Sequence, residues 1–274
     1  MRQSIDLLSL ITPLRELARA AGDAILRVYN APDRAVVTAK ADASPLTAAD
    51  LAAHHLIVDG LSHLIPDVPV VSEEGDHDHV ARQGLFWLVD PLDGTKEFVE
   101  RNGDFTVNIA LIESCAPRLG VVHVPAHGCT YWGGAGLGAF RAAGGAPEAL
   151  HVAAPPAPGA TVRVVASKSH LNADTEHFIA RFAPRELVQA GSSLKFCRVA
   201  EGAADVYPRL APTCEWDTAA AQAVLEGAGG HVVTLAGEPL RYGKADILNP
   251  HFVALSSLTL TRFATRRAVQ GGEG

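Results

Sequence analysis

Leu85-Phe86-Trp87-Leu88-Val89-Asp90-Pro91-Leu92-Asp93-Gly94-Thr95-Lys96-Glu97-Phe98 is the stretch on which the reading of this chain turns. The apolar run Leu85 to Val89 predicts a buried strand, with Asp90 emerging where the strand ends, the position at which open α/β sheets hold their ligands. Pro91 fixes its own φ and removes one N–H, favouring a turn in which Asp90, the Leu92 carbonyl and Asp93 face one point. All three offer oxygen, the donor that hard cations such as Mg²⁺ select, and Gly94 lets backbone N–H groups approach an anion closely. The segment suits a phosphate held beside a metal ion.

Two other places supply further acids. Ser72-Glu73-Glu74-Gly75 follows a strand-like Val68-Pro69-Val70-Val71, so Glu73 is expected at a second strand end, beside Asp90 if the strands are neighbours. Trp216-Asp217-Thr218-Ala219-Ala220 opens an alanine-rich apolar segment that reads as a helix, with Asp217 near its first turn. Taken singly, each acid has a plain explanation as a solvated charge, a helix cap or a turn residue. Clustered carboxylates are another matter: without cations they raise one another's pKa and cost stability.

The 274 residues, 48% hydrophobic and 19% charged, have an ordinary globular composition that can bury one large core or two smaller ones. A formal charge of -7 argues against a nucleic-acid polymer as partner, which needs a basic face. A small phosphorylated ligand remains compatible, because bound Mg²⁺ reverses the local sign. Cys115, Cys129, Cys197 and Cys214 are widely spaced, form no zinc pattern and read as reduced structural thiols. Arg15, Glu16 and Arg19 interrupt the N-terminal apolar pattern, so neither a signal peptide nor a transmembrane segment is read, and a cytoplasmic protein is expected. The residues leave assembly open, a homodimer included.

Outward from the central stretch, Leu7, Leu8, Ile11, Leu14, Leu17, Ala18, Ala21, Ile25 and Leu26 recur at helical spacing between Ser4 and Tyr29. A second helix, about Thr47 to Leu64, follows the turn-like Asp42-Ala43-Ser44-Pro45 and has Thr47 and Asp50 at its start. Phe105 to Ile112, Leu119 to Val124, Cys129 to Trp132 and Gly138 to Arg141 read as an antiparallel sheet. Ala153-Ala154-Pro155-Pro156-Ala157-Pro158-Gly159 reads as a linker between residues 1–154, an α+β lobe carrying most of the acids, and 155–274, an α/β lobe carrying Asp217. In the second part, strands near Val162, Leu187, Asp205, Val232 and Phe252 alternate with helices from about Ala173, Ser192 and Asp217. The fold class is therefore α/β, layered, with the site between two lobes.

With these segments in place, the chain resembles the lithium-sensitive, magnesium-dependent sugar and nucleotide phosphatases related to inositol monophosphatase. Within them it is most similar to the 3'(2'),5'-bisphosphate nucleotidases of bacterial sulfur assimilation, the CysQ type. The resemblance is carried by Leu46-Thr47-Ala48-Ala49-Asp50, Ser72-Glu73-Glu74, Asp90 to Phe98, Val165-Ala166-Ser167-Lys168-Ser169-His170, Gly191-Ser192-Ser193-Leu194-Lys195-Phe196-Cys197, Trp216 to Ala220, and Leu248-Asn249-Pro250. Lys96-Glu97 favours a nucleotidase, since inositol monophosphatases tend to carry Thr-Asn there. Ala211 and Ala221 depart from the pattern, which usually has glycine at both places.

The resemblance implies an αβαβα sandwich. It implies two or three Mg²⁺ bound by Glu73, Asp90, the Leu92 carbonyl, Asp93 and Asp217, around the phosphate to be removed. It also implies in-line attack by a water activated at the cations and oriented by Thr95 paired with Asp50, with Glu73 as the competing base and no covalent phosphoenzyme. Gly94 and Thr95 N–H groups would hold a phosphate oxygen. Ser167, His170, Gly191 and Lys195 match nucleotide-contacting positions, with Arg209 a weaker candidate. For Lys195 the bland alternative is a solvated helix lysine; for Thr47 and Asp50 it is a helix cap. The implied activity converts adenosine 3',5'-bisphosphate to AMP and phosphate, and extends to its sulfated analogue. The alternatives are an inositol-1-monophosphatase or fructose-1,6-bisphosphatase with the same metals, and an inactive homologue that binds nucleotide or a partner. The resemblance also admits peripheral attachment at the inner membrane.

Three other patterns are discounted. Asp76-His77-Asp78-His79 reads as a solvated loop beside Gly75. Gly133-Gly134-Ala135-Gly136-Leu137-Gly138 lacks the following helix of a dinucleotide loop and reads as a hairpin turn. His54 and His55 are adjacent on a helix and are expected to point to different faces.

Overall fold

The computed structural model describes residues 5–30, 38–39, 45–46, 48–76, 82–167 and 172–260. Thr47, His170 and the His77-Asp78-His79 part of the acid-histidine run lie outside these residues.

Helix α1 (Leu7–Tyr29) begins where the Asp6 carboxylate accepts the Leu8 N–H at 3.1 Å, a side-chain cap on an otherwise unpaired donor. Its buried Leu10, Leu14, Ala18, Ala21 and Ile25 recur every three or four residues and make one apolar stripe. Short strands β1 (Thr38–Ala39) and β2 (Pro45–Leu46) pair antiparallel. Helix α2 (Ala48–Leu64) then buries Ala49, Ala53, Ile57 and Leu61 on a second such stripe, which packs with α1 over the first sheet.

That sheet has seven strands in chain order: β3 (Val70–Ser72), β4 (Leu85–Asp93), β5 (Thr106–Glu113), β6 (Ala116–Val124), β7 (Cys129–Gly134), β8 (Gly138–Ala142) and β9 (Glu148–Ala149). The short helix α3 (Thr95–Val99) follows β4. β3 runs parallel to β4 and every later neighbour is antiparallel. Both faces are covered. Trp87 and Val89 of β4, with Val107, Ile109 and Leu111 of β5, point at α1 and α2, while Phe86, Leu88, Ala110 and Ile112 point the other way. Successive strand side chains alternate, so a strand buried on both faces reads as an unbroken apolar run. The glycine-rich Gly133–Gly138 run closes the β7–β8 hairpin, as expected.

One boundary differs from the sequence reading. Strand β4 does not stop at Asp90; it continues to Asp93, because β5 goes on pairing with it as Asp90↔Asn108 and Asp93↔Thr106. The register shift between those pairs takes up Pro91, which cannot donate to a ladder and is accommodated at a bulge.

The rest of the chain supplies β10 (Val162–Ser167), α4 (Ala173–Ile179), β11 (Arg185–Ala190), α5 (Leu194–Ala200), β12 (Val206–Arg209), α6 (Ala219–Gly227), β13 (His231–Thr234) and β14 (Phe252–Leu255). Its five strands are ordered β11-β10-β12-β14-β13, parallel among the first three and antiparallel from β12 onward. Helices α5 and α6 fill the space between the sheets, where Phe86 and Leu88 share one core with Phe196, Val224, Tyr207 and Phe252. Helix α4 covers the far face, its Phe178 and Ile179 against Val164, Val206 and Val253. The layers are helix, sheet, helix, sheet, helix, the αβαβα order the resemblance implies.

Helix α6 fits between the sheets because its inner face is alanine. Ala219, Ala220, Ala221 and Ala223 are all buried, and a Cβ placed on Gly120 of β6 would stand 2.1 Å from the Ala220 carbonyl oxygen. A side chain there would push the layers apart, and overpacking of this kind costs about 1–3 kcal/mol or more. Among the described residues no helix is long and apolar enough to cross a membrane.

Candidate active site

Because β3 and β4 are parallel neighbours, with Ser72 opposite Val89, Glu73 leaves its strand beside Asp90 and donates its N–H to the Val89 carbonyl at 3.1 Å. The bulge then turns Asp93 and Gly94 toward the helical layer. Gly94 has φ +87° and heads α3, and a Cβ there would meet Ser192 Oγ at 2.0 Å, so both backbone and space require glycine. Thr95 is the first residue of α3. Asp50 is buried in the first turn of α2. Asp217 comes from the opposite side, on the Cys214–Thr218 turn that leads into α6; its Oδ2 accepts the Cys214 N–H at 2.8 Å.

The acids feel one another. Burial raises the Asp90 carboxyl well above the usual carboxylate range, and Glu73, Asp93, Asp217 and Asp50 each raise it further. Burial pushes Asp93 up to about 6 against the pull of Lys195, and pushes Asp217 up to about 8, with Asp93 adding to it. Glu73, Asp93 and Asp217 stay half-buried and so open to the cleft, whereas Asp90 and Asp50 are closed off behind them. Among the described residues no three such side chains already stand together as a finished metal cage.

Asp93 is held by a polar seam. Its Oδ2 accepts from the Ser193 N–H at 2.6 Å, from Thr106 Oγ1 at 3.3 Å and from Asn108 Nδ2 at 3.4 Å, while Ser192 Oγ donates to its carbonyl at 3.0 Å. Ser193 Oγ donates in turn to Asn108 Oδ1 at 2.8 Å. Sequence reasoning did not assign these roles. The available signal was Thr106 and Asn108, polar residues in an otherwise apolar strand, each at most 1% exposed.

Lys195 on α5 is 7% exposed, so the solvated-lysine alternative is corrected. The helix turns it inward, where its ammonium lies 5.6 Å from the Tyr207 ring centroid. Burial pulls its pKa down to about 8 while Asp93, Glu97 and Asp217 act to keep it charged. Lys195, Arg209, Asp93, Ser192 and Asp217 line one cleft. Arg209 is anchored there by donating to the Pro212 carbonyl at 2.9 Å. Gly191 donates its N–H to Asp104 Oδ2 at 3.1 Å instead of leaving it open to a ligand. Ser167 ends β10, and His170 lies outside the described residues. A larger cavity, about 260 Å³, opens beside α4 between Asp174, His177, Arg181 and His251, and none of Asp50, Glu73, Asp90, Asp93 and Asp217 lines it.

Of the two adjacent histidines, His54 is half-buried and His55 exposed. The rings of His54 and His55 meet edge to face at 5.1 Å, and His54 Nδ1 lies 2.8 Å from Ser72 Oγ, next to Glu73.

Chemically, the site is a set of crowded carboxylates with an ammonium on the facing wall. The donors are oxygens, the set that suits a hard divalent cation. Their raised pKa values record burial first and mutual repulsion second, both of which oppose ionisation and both of which such a cation would offset. The residues present therefore fit bound Mg²⁺.

The model of the Inositol monophosphatase family matches residues 6–268. The chain is 48% identical over 242 residues to the 3'(2'),5'-bisphosphate nucleotidase CysQ of Escherichia coli strain K12, covering 86% of this chain and 96% of that protein. Among solved structures, CysQ from Bacteroides thetaiotaomicron aligns with a TM-score of 0.79 at 41% identity, covering 92% of this chain and 98% of that one. An IMPase from Thermotoga maritima aligns with a TM-score of 0.76 at 26% identity, covering 93% and 95%.

Proposed function

The chain belongs to the inositol monophosphatase family, and from that premise we propose that it is a 3'(2'),5'-bisphosphate nucleotidase that takes the 3'-phosphate from adenosine 3',5'-bisphosphate, giving AMP and phosphate. The sulfated analogue is a second substrate of the same site. The observation that supports the reading is that Asp93 and Asp217 line one cleft with the buried Lys195, while Asp90, closed off behind it, feels the charges of Glu73, Asp93 and Asp217.

Phosphatases of this family are metal-dependent, typically on Mg²⁺. Two or three ions are assigned to Glu73, Asp90, the Leu92 carbonyl, Asp93 and Asp217. When bound they would neutralise these acids, stabilise the charge on the transferring phosphoryl group and activate the attacking water. The chain's own residues do the rest. Gly94 and Thr95 present backbone N–H groups to a phosphate oxygen at the head of α3. Thr95 Oγ1 accepts a hydrogen bond from the water and donates its own O–H to the Asp50 carboxylate, so that Thr95 takes up the water's proton as its own passes to Asp50, with Glu73 the competing base. Lys195 Nζ donates to the second phosphate as a point charge, which would distinguish a bisphosphate from a monophosphate. Ser167 and His170 are assigned to the nucleoside, and Gly191 to shaping the loop before Lys195.

A two-lobe division at residues 154/155, a cytoplasmic location at most peripheral to the inner membrane, lithium sensitivity and a homodimer complete the proposal. Phosphate release from adenosine 3',5'-bisphosphate, inositol 1-phosphate and fructose 1,6-bisphosphate, each with Mg²⁺ and with chelator, tests it. The expected outcome is a kcat/KM highest for the nucleotide and abolished by chelation. A higher value for inositol phosphate would transfer the assignment to that substrate, and nucleotide binding without release would mark an inactive homologue.

A further inference from the structure

The return loop between β13 and β14 makes a clasp on the turn that carries Asp217. Two backbone bonds dock it: Glu215 N–H donates to the Ile247 carbonyl at 2.9 Å, and Asn249 N–H to the Thr213 carbonyl at 2.8 Å. Side chains then lock it. Asn249 Nδ2 donates to the Cys214 carbonyl at 2.7 Å, with Thr218 Oγ1 at 3.1 Å and Thr213 Oγ1 at 3.3 Å also in reach. The Cys214 backbone frames Asp217 from both sides, because its N–H donates to Asp217 Oδ2 at 2.8 Å and its carbonyl accepts the Asp217 N–H at 3.3 Å.

Lys244 sets which way the Asn249 amide faces. Its Nζ donates to Glu215 Oε1, to the Arg241 carbonyl at 3.1 Å and to Asn249 Oδ1 at 3.3 Å. An ammonium has three donors and no acceptor, so the amide must turn its oxygen to Lys244 and its nitrogen to the Asp217 turn. Glu215, 0% exposed, takes the Lys244 charge and the N–H groups of Gly243 and Lys244 at 2.8 and 3.1 Å. The clasp thus delivers geometry to Asp217 through a neutral amide while its positive charge is spent on Glu215.

We propose that Asn249, and Lys244 seated on Glu215, are positioning residues that fix the Asp217 carboxylate for a divalent cation. The proposal rests on Asp217 being a cation ligand. Partners that orient a ligand in this way are worth about 10- to 100-fold in metal affinity.

Mn²⁺ titration of the substrate-free protein, followed by electron paramagnetic resonance, tests it beside thermal melting in chelator. Asn249→Asp keeps the oxygen that meets Lys244 but replaces the donor to Cys214, and should weaken Mn²⁺ binding about 10-fold. Lys244→Met should weaken it likewise, and Lys244→Arg should restore it. Wild-type affinity in both Asn249→Asp and Lys244→Met, with only a lowered melting temperature, would reduce the clasp to a structural brace and overturn the proposal. Failure of both to fold, with no rescue by saturating Mn²⁺, would overturn it as well. If the wild-type protein itself binds no Mn²⁺, the cation site falls and the clasp with it.

Discussion

Glu215 and Asp217 stand two residues apart on one turn and have opposite surroundings. Glu215 is sealed from water and accepts three donors, one of them the Lys244 ammonium. Asp217 is half-buried on the cleft, accepts the Cys214 N–H, and has its pKa raised to about 8 by burial and by Asp93. The chain therefore seats one carboxylate against a cation of its own and leaves the other beside Asp93 and Glu73, with Arg209 the lesser, opposing influence. Burying an ionised group without a partner is expensive, so the arrangement at Asp217 makes sense when the missing charge arrives from solution.

The sharpest way to break the comparison is Asp217→Asn. It should lower phosphate release by more than about 100-fold, exceeding the loss from a mere orienting partner, while the melting temperature measured in chelator above pH 8, where Asp217 ionises, holds or rises because a repelling charge is gone. A wild-type rate would end the distinction between the two acids.

Metal removal comes next. Asp93 and Asp217 have folded pKa values of about 6 and about 8, above the ordinary 3.8. A raised pKa means that the folded state holds the proton more tightly than the unfolded state, so its contribution to stability is complete in acid and lost as pH rises through those values. The melting temperature in chelator should fall between pH 5 and 9, and Mg²⁺ at about 100 times its Kd should recover about 2.7 kcal/mol. A flat profile in chelator would show that the acids do not crowd one another.

Glu215→Gln should reverse the pattern seen at Asp217, costing stability more than chemistry. Breaking a buried ion pair costs about 3–5 kcal/mol, but the Lys244 side chain is 29% exposed and can reach water, so about 2 kcal/mol is expected in urea unfolding with Mg²⁺ saturating. Smallest of all is the solvent-exposed counterpart, the Arg118–Glu113 pair at 2.8 Å with side chains 46% and 49% exposed. Glu113→Gln should shift the same midpoint by less than about 0.5 kcal/mol. A larger loss there than at Glu215 would refute the ranking by burial.

Much of the layered fold was legible because periodicity carries it. The Leu14-Ala18-Ala21-Ile25 spacing gave α1, the unbroken Leu85 to Val89 run gave a strand buried on both faces, and the Gly133 to Gly138 run gave a hairpin. The acids were legible because their motifs are local. The continuation of β4 past Asp90 was not, since it depends on where β5 keeps pairing. Nor was the hold on Asp93, whose Ser193 and Asn108 partners are distant in sequence.

The amino-acid order alone settled which residues carry oxygen, charge and apolar surface, and at what spacing; those are properties of single residues and of the few beside them. Folding decided that Lys195 is buried against the acids, that Lys244 is committed to Glu215, and that Asn249 turns its nitrogen toward the Asp217 turn. Each depends on a partner dozens of residues away, and a charge's effect is fixed by distance through space and by the water excluded around it.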